Sequence, residues 1–282
     1  VIFLISGGAS ALLCSPLDGI NFDEKQKINN ELLKSGASID EMNIVRQSIS
    51  AVKGGRLLEL IKPSNCITYG ISDIPGDDPS FIGSGPTIYS NNDPNKLFEI
   101  LDNYQIKISK EILSIIKTNL LPKGINENFH LIASPMKALK AASNLAKKIG
   151  FLPIILSDKL EGDASKEGER MANLALKIKK EKRYKNFSLE KPILLLSGGE
   201  TTVKVNGLGK GGRNSEFALS MVNTLKGNKN ILGLSIDTDG IDGSEDNAGA
   251  FFSYETFLKS KKLNLDINKS VSYTHLRAHE TD

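Results

Sequence analysis

The chain has 282 residues, 39% of them hydrophobic and 24% charged, an ordinary globular composition with enough apolar material for one large or two smaller cores. Lys and Arg number 36 against 33 Asp and Glu, for a formal charge of +3, so composition offers no argument for a nucleic-acid surface, and the absence of Trp removes the stacking platforms of a single-strand binder. No apolar run approaches the roughly 20 residues that span a bilayer. The two cysteines, Cys14 and Cys66, are too few for a disulfide scaffold and lack metal-ligand spacing, which suits a reducing cytosol.

Residue 1 is Val, and Val1-Ile2-Phe3-Leu4-Ile5 is already a buried-strand pattern, so the chain reads as an N-terminally truncated fragment. The turn Ser6-Gly7-Gly8-Ala9-Ser10 follows, where glycines let backbone N–H groups converge on an anion. Ser38-Ile39-Asp40-Glu41 has capping-box spacing and predicts a helix over 38–52, stopped by Gly54-Gly55. Three carboxylates, Asp73, Asp77 and Asp78, interleave with Gly and Pro in the next turn, ahead of Gly83-Ser84-Gly85-Pro86-Thr87. Such a loop suits either Mg²⁺ that keeps waters and bridges to phosphate, or a surface cluster of Asx-turns.

Phe129-His130-Leu131-Ile132-Ala133 predicts a strand, with His130 a structural residue. Ser134 and Pro135 then start a helix that Gly150 stops, and a strand over 152–156 completes a βαβ crossover. A long helix is expected over 164–182, ending in a lysine-rich turn that the helix dipole favours. Periodicity breaks at 187–192, and the domain boundary is placed there: residues 1–187, 188–270, and a tail at 271–282. The tail carries two of the three histidines, His275 and His279, and resembles adapter read-through, so it is excluded from the fold.

The second region repeats the first. Leu194-Leu195-Leu196-Ser197-Gly198-Gly199-Glu200-Thr201 echoes 3–10, and Asp237-Thr238-Asp239-Gly240-Ile241-Asp242-Gly243 echoes the acidic turn at 72–78. Between them, Gly207-Leu208-Gly209-Lys210-Gly211-Gly212 leads Arg213-Asn214-Ser215-Glu216 into a helix, setting a guanidinium beside a helix N-terminus, two features that attract phosphate. Strands alternate with amphipathic helices throughout. The fold class is α/β, two lobes with mainly parallel sheets flanked by helices. Ligands of such sheets bind at strand carboxyl ends. Anion cradles, carboxylates and one arginine, without a credible catalytic His or Cys, fit phosphoryl transfer better than a triad hydrolase or a zinc enzyme.

At these residues the chain resembles the glycerate 2-kinases, which join a large N-terminal domain to a smaller C-terminal MOFRL domain. The resemblance rests on Ser6-Gly7-Gly8-Ala9-Ser10-Ala11-Leu12-Leu13, Ser35-Gly36-Ala37-Ser38-Ile39, Val52-Lys53-Gly54-Gly55-Arg56-Leu57, Ser72-Asp73-Ile74-Pro75-Gly76-Asp77-Asp78-Pro79, Ser84-Gly85-Pro86-Thr87, Ser197-Gly198-Gly199-Glu200-Thr201-Thr202, Gly211-Gly212-Arg213-Asn214-Ser215-Glu216 and Asp237-Thr238-Asp239-Gly240-Ile241-Asp242-Gly243. It implies transfer of a phosphoryl group from ATP, with Mg²⁺, to the 2-hydroxyl of D-glycerate in a ligand cleft between the lobes.

Carried onto these motifs, it makes Arg213, Asp237 and Asp73 catalytic candidates and Asp77 and Asp239 metal candidates, with the division of labour among the carboxylates left open. Ser6, Gly7, Gly8, Ser10, Ser84, Gly85, Thr87, Gly198, Gly199, Glu200, Thr201, Asn214 and Glu216 become candidates for binding substrate or phosphate, and Lys53 and Arg56 secondary anion contacts. The family also carries a further N-terminal stretch with a lysine thought to take part in catalysis. It lies outside this sequence, so the fragment is expected to be inactive. Many members are labelled hydroxypyruvate reductases, which ranks second because no turn has dinucleotide-binding glycine spacing. A non-catalytic sugar-phosphate sensor ranks third.

Overall fold

A computed structural model describes residues 1–72, 74, 76–90, 94–124, 128–184, 187–188, 190–204, 210–244, 246–265 and 267. The chain divides into two compact units, Val1–Ala138 and Leu139–Asp282. Asp73, His275 and His279 fall outside the described residues.

In the first unit β1 (Ile2–Ile5), β2 (Ile67–Ile71) and β3 (Phe129–Ala133) form a parallel sheet in that order. Parallel neighbours need long crossovers. The first supplies α1 (Ala9–Leu12), α2 (Phe22–Ser35), α3 (Ile39–Ser48) and α4 (Arg56–Leu60). The second supplies a 3₁₀ turn at Ile82–Ser84, then α5 (Pro94–Asn103) and α6 (Lys110–Thr118). Helices make the core: Ile28 and Leu32 of α2 and Ile44 and Val45 of α3 cluster with Leu97, Ile100, Ile112 and Ile116 of α5 and α6. Of β1, Phe3 and Ile5 are half-buried while Ile2 and Leu4 are exposed, so the run read as a buried strand covers only one face.

The predicted capping box starts α3: Ser38 Oγ accepts from Glu41 N, and Glu41 accepts from Ser38 N. The helix stops at Ser48, short of the expected 52. Arg56 accounts for the early stop, because its guanidinium donates to the carbonyls of Gln47 (2.6 Å) and Ser50 (2.7 Å), capturing oxygens that a longer helix would use.

In the second unit α7 (Pro135–Lys148) begins after Ser134, whose hydroxyl accepts from Lys137 N, and Gly150 turns left-handed after it. The strand that follows, β4 (Leu152–Asp163), pairs parallel with β7 (Ile193–Thr202) from Leu152↔Ile193 to Asp163↔Thr202. Because β3 belongs to the other sheet, β3–α7–β4 is a link between units and not the predicted crossover. The same pairing draws β4 and α8 (Ala164–Glu181) into the second unit, so the structural division falls within α7, well before the expected 187. β5 (Arg183–Tyr184) and β6 (Phe187–Ser188) form a small hairpin. After α9 (Arg213–Leu225), β8 (Gly233–Ile236) and β9 (Gly249–Phe252) pair antiparallel, and α10 (Tyr254–Lys262) follows. The sheets are thus parallel except for β5–β6 and β8–β9.

Helices α8 and α9 pack tightly at Gly168, where an added Cβ would stand 2.5 Å from Phe217 O and 3.0 Å from Ser220 Cβ. Gly168→Ala gains at most about 1 kcal/mol of helix propensity but overpacks the contact by about 1–3 kcal/mol. The expected outcome is a lower denaturant midpoint with an unchanged slope; an equal or higher midpoint would show that the helices separate freely.

Candidate active site

In the first unit the chemistry gathers where two glycine-rich loops meet. Gly54 N donates to Ser84 O (3.1 Å) and Gly55 N to Gly85 O (2.8 Å). Gly83, Ser84 and Gly85 are all left-handed, with φ of 60°, 62° and 61°. For Ser84 that conformation is strained. Its surroundings enforce it: Gln47 Nε2 donates to Ser84 O (3.3 Å) and to Ser80 O (3.1 Å), and Ser84 Oγ donates to Asn43 Oδ1 (3.3 Å). Ser10 Oγ lies 2.7 Å from Ser84 Oγ.

Lys53 reaches into this group, its ammonium donating to Ser10 O and, at 3.5 Å, to Ser84 Oγ. Lys53 is 3% exposed. Burial, and then the charges of Lys25 and Arg46, push its pKa from 10.5 down to about 8, with Cys14 acting weakly the other way. Three of the expected anion contacts, Ser10, Lys53 and Ser84, therefore meet.

Other expectations for this unit resolve differently. Arg56 is spent on the carbonyls of Gln47, Ser50 and Asn119, so it holds the fold and offers no fork to an anion. Thr87 is buried and its Oγ1 accepts from Thr68 Oγ1 of β2 (2.8 Å), while Gly85 is needed because a Cβ would stand 2.8 Å from Ser80 O. Ser6, Gly7 and Gly8 form the turn between β1 and α1, with Gly8 left-handed and Ser6 O accepting from Ala9 N (3.3 Å). In the acidic loop Asp77 is left-handed, and Asp78 Oδ1 accepts from Ser80 N and Oγ as an Asx-turn does. His130 sits on β3 with its ring beside Tyr69.

The second unit builds its site on α9. The cap residue, Gly212, has no side chain, and a Cβ there would collide with Asp242. Asp242 takes that space: its Oδ1 accepts from Asn214 N (2.8 Å), and its Oδ2 from Ser215 N (2.8 Å) and Ser215 Oγ (2.6 Å). The helix N-terminus expected to attract phosphate thus already holds a carboxylate, one with no exposed surface. Arg213 projects from the same turn, donating from Nε (3.0 Å) and Nη2 (2.9 Å) to Asp237 Oδ2 and from Nη1 to Glu200 Oε1. Burial works against its charge, but the bonds to Glu200 and Asp237 prevail and raise its pKa. Asn214 joins them, donating to Asp237 Oδ2 (3.4 Å) and accepting from Ser235 Oγ (2.7 Å). Arg213, Glu200, Asp237 and Asn214 are one network, and the guanidinium remains 34% exposed.

Gly198, Gly199 and Thr201 lie within β7, not in a turn after it as the echo of the first unit suggests. An added Cβ at Gly199 would strike the backbone of Leu160, so strand approach alone accounts for that glycine. Glu216 is buried on α9. Asp239 Oδ1 accepts from Ile241 N (2.9 Å) in another Asx-turn. Among the described residues no three His, Cys, Asp or Glu converge on one point; a protein-only metal cage is therefore not formed there, and a Mg²⁺ ion would depend on phosphate oxygens for most of its ligands.

Sequence reasoning placed Asp242 in an acidic turn without its capping role, and missed Asn43, Gln47 and the buried Lys25. The signals were present: Asn43 and Gln47 are one turn apart on α3, and Lys25 occupies the apolar stripe of α2 that continues through Ile28 and Leu32.

Residues 1–117 match the family model described as a domain of unknown function, DUF4147, and residues 193–279 match the MOFRL family. The second match runs into the segment read as a tail. A putative hydroxypyruvate reductase of Agrobacterium vitis is 40% identical over 99% of this chain and 74% of its own length. A D-glycerate 2-kinase of Thermotoga maritima is 38% identical over 94% of this chain and 63% of its own. The crystal structure of a glycerate kinase from the same organism superposes with a TM-score of 0.86 at 36% identity, over 98% of this chain and 66% of that one. The chain belongs to the glycerate 2-kinase family. It spans about two thirds of the length of these relatives. The predicted α/β class holds across the family match.

Two expected outcomes follow from the geometry. Between about pH 8 and 10.5 the folded chain has released the Lys53 proton that the unfolded chain keeps, so this group's contribution to stability improves as pH rises through that window and is constant and unfavourable below it. Urea midpoints should therefore rise from pH 8 to 10 relative to Lys53→Met; a flat difference would show an ordinary ammonium. Asp242→Ala leaves two N–H groups and a hydroxyl without their acceptor, at a cost of about 2–3 kcal/mol, read as a lower Tm, and it loosens Arg213. An unchanged Tm would mean the α9 terminus finds other acceptors.

Proposed function

We propose that the protein transfers the γ-phosphoryl group of ATP to the 2-hydroxyl of D-glycerate, giving 2-phosphoglycerate and ADP. The single observation that carries this reading is the match of 98% of this chain to 66% of the Thermotoga maritima glycerate kinase structure. The charged network on α9 supports it. In the transfer, the hydroxyl oxygen forms a bond to the γ-phosphorus as the bond to the ADP oxygen breaks, and the hydroxyl proton leaves to a base. Catalysis in such a reaction is mainly positioning and charge neutralisation.

Arg213 is assigned the charge on the transferred group. Its partners make it suitable: Asp237 and Glu200 grip three of its nitrogens and fix the plane of the fork, so little reorganisation accompanies the reaction. Asp237 then acts by orienting Arg213, and the role of base is left to Asp73 or a group beyond the described residues. Ser10, Lys53 and Ser84 are assigned to an anionic part of a ligand, with the Ser6-Gly7-Gly8 turn beside them in sequence. Glu200 and Asn214 support Arg213, and Gly198, Gly199, Thr201, Gly85, Thr87 and Glu216 shape the backbone around these groups. Mg²⁺ would be held through phosphate oxygens with Asp77 or Asp239, and supplies neutralisation of phosphate charge when bound. A reducing cytoplasm suits the two free cysteines; among the described residues no helix is long and apolar enough to cross a membrane.

Incubation of the full-length protein with D-glycerate, ATP and Mg²⁺ should yield 2-phosphoglycerate. Exclusive 3-phosphoglycerate would overturn the assignment to the 2-hydroxyl, and NADH oxidation with hydroxypyruvate in place of phosphorylation would favour the label that the Agrobacterium relative carries. Arg213→Ala should lower kcat by roughly 10²-fold or more while the far-ultraviolet spectrum is kept. An unchanged kcat would take Arg213 out of the mechanism.

A further inference from the structure

Strand β8 arranges its residues against the usual pattern. Leu234 and Ile236 are 63% and 51% exposed, while Gly233 and Ser235 turn the other way and are half-buried. In register, Ser235 stands opposite Ala250 and Gly233 opposite Phe252. Ala250 and Phe252 pack with Ala218, Met221 and Val222 of α9, so the face that carries Ser235 is the one laid on that helix. An antiparallel pair ordinarily turns apolar residues inward and polar residues to water. A hydroxyl on the inward face therefore needs a partner there.

The partner is Asn214, in the first turn of α9: Ser235 Oγ donates to Asn214 Oδ1 at 2.7 Å. The direction of that bond follows from what lies on the other side of the amide. Asn214 Nδ2 faces two carboxylates, Asp237 Oδ2 at 3.4 Å and Asp242 Oδ1 at 3.3 Å. Ionised carboxylates only accept, so the amide turns its nitrogen to them and its oxygen away, and the hydroxyl that meets the oxygen is the donor. The two bonds to the carboxylates are long, whereas the bond from Ser235 is short. The short bond is the one that holds the amide plane.

Asp237 Oδ2, the atom that Asn214 braces, also receives Nε and Nη2 of Arg213. Contacts thus run without a break from β8 through Asn214 and Asp237 to the guanidinium. We propose that Ser235 is a positioning residue for the phosphoryl transfer: its hydroxyl fixes the Asn214 amide, which steadies Asp237 and through it Arg213. The role rests on the kinase reading, in which Arg213 meets the charge of the transferred group. Ser235 itself touches no substrate.

The test uses the full-length protein with D-glycerate, ATP and Mg²⁺. Ser235→Ala should lower kcat roughly three- to tenfold, the range that one neutral hydrogen bond spans, and leave KM for both substrates within about twofold. Ser235→Thr keeps the hydroxyl at a strand position that suits a β-branched residue, and should restore most of kcat. In an Asn214→Ala background, Ser235→Ala should cost nothing more, because the serine acts only through the amide. An unchanged kcat in Ser235→Ala, a change in KM alone, no recovery in Ser235→Thr, or equal losses in both backgrounds would overturn the role. Urea midpoints of the parent, the two alanine variants and their combination separate this result from the kinase reading. Non-additive midpoints without phosphoglycerate formation would keep the bond and remove the reaction, and this role with it. Phosphorylation with additive midpoints and additive losses in kcat would keep the reaction and remove the role.

Discussion

The carboxylate of Asp242 sets the geometry of the second unit's chemistry. It is fully buried, and it accepts from two backbone N–H groups and a hydroxyl at the first turn of α9. A charged acceptor there is worth more than a neutral cap because the helix dipole and the exposed N–H groups both favour it. Glycine at 212 leaves the space for it. With the turn fixed in this way, Arg213 and Asn214 leave the helix in set directions, and Asp237 and Glu200 receive them. The acidic loop at 237–242 therefore serves the arginine twice, once through the helix and once through the guanidinium.

The first unit follows the opposite rule. Its loops are held by backbone hydrogen bonds between the 53–55 and 83–85 segments and by the amides of Asn43 and Gln47. Lys25 and Lys53 are buried there, and among the described residues no carboxylate makes an ion pair with either. The left-handed Ser84 belongs to this loop pair, and a strained residue held by many partners is where proteins keep groups that must stand in one place. The second unit meets its arginine with two carboxylates, while the first surrounds the Lys53 ammonium with a carbonyl and a hydroxyl.

Much was readable from local pattern. The capping box at Ser38 and Glu41, the Ser134-Pro135 helix start and the Gly150 stop are short-range hydrogen-bond and dihedral preferences, and they appear where those preferences place them. The grouping of Arg213 with Asp237 was reachable because glycine turns and acidic turns flag strand ends. Three features were not reachable by that route. Gly198-Gly199 repeats Ser6-Gly7-Gly8 in letters but lies inside a strand, because β4 runs against it. Arg56 reads as a secondary anion contact and instead binds carbonyls in and just after α3. Lys25 falls in no motif, and its position in the apolar stripe of α2 buries it.

The near-neutral charge of +3 was enough to turn attention from a charged surface to local sites, and the ordered motifs were enough to name the family. Which cation is met by a carboxylate and which by carbonyl and hydroxyl oxygens was decided only by tertiary structure. The reason is that an ion pair such as Arg213 with Asp237 joins residues 24 apart in the chain, and Lys53 meets Ser10 across 43. Local propensity carries no information over such distances; the pairing of strands and the packing of α2 and α3 bring the groups together, and burial then sets what each charge can do.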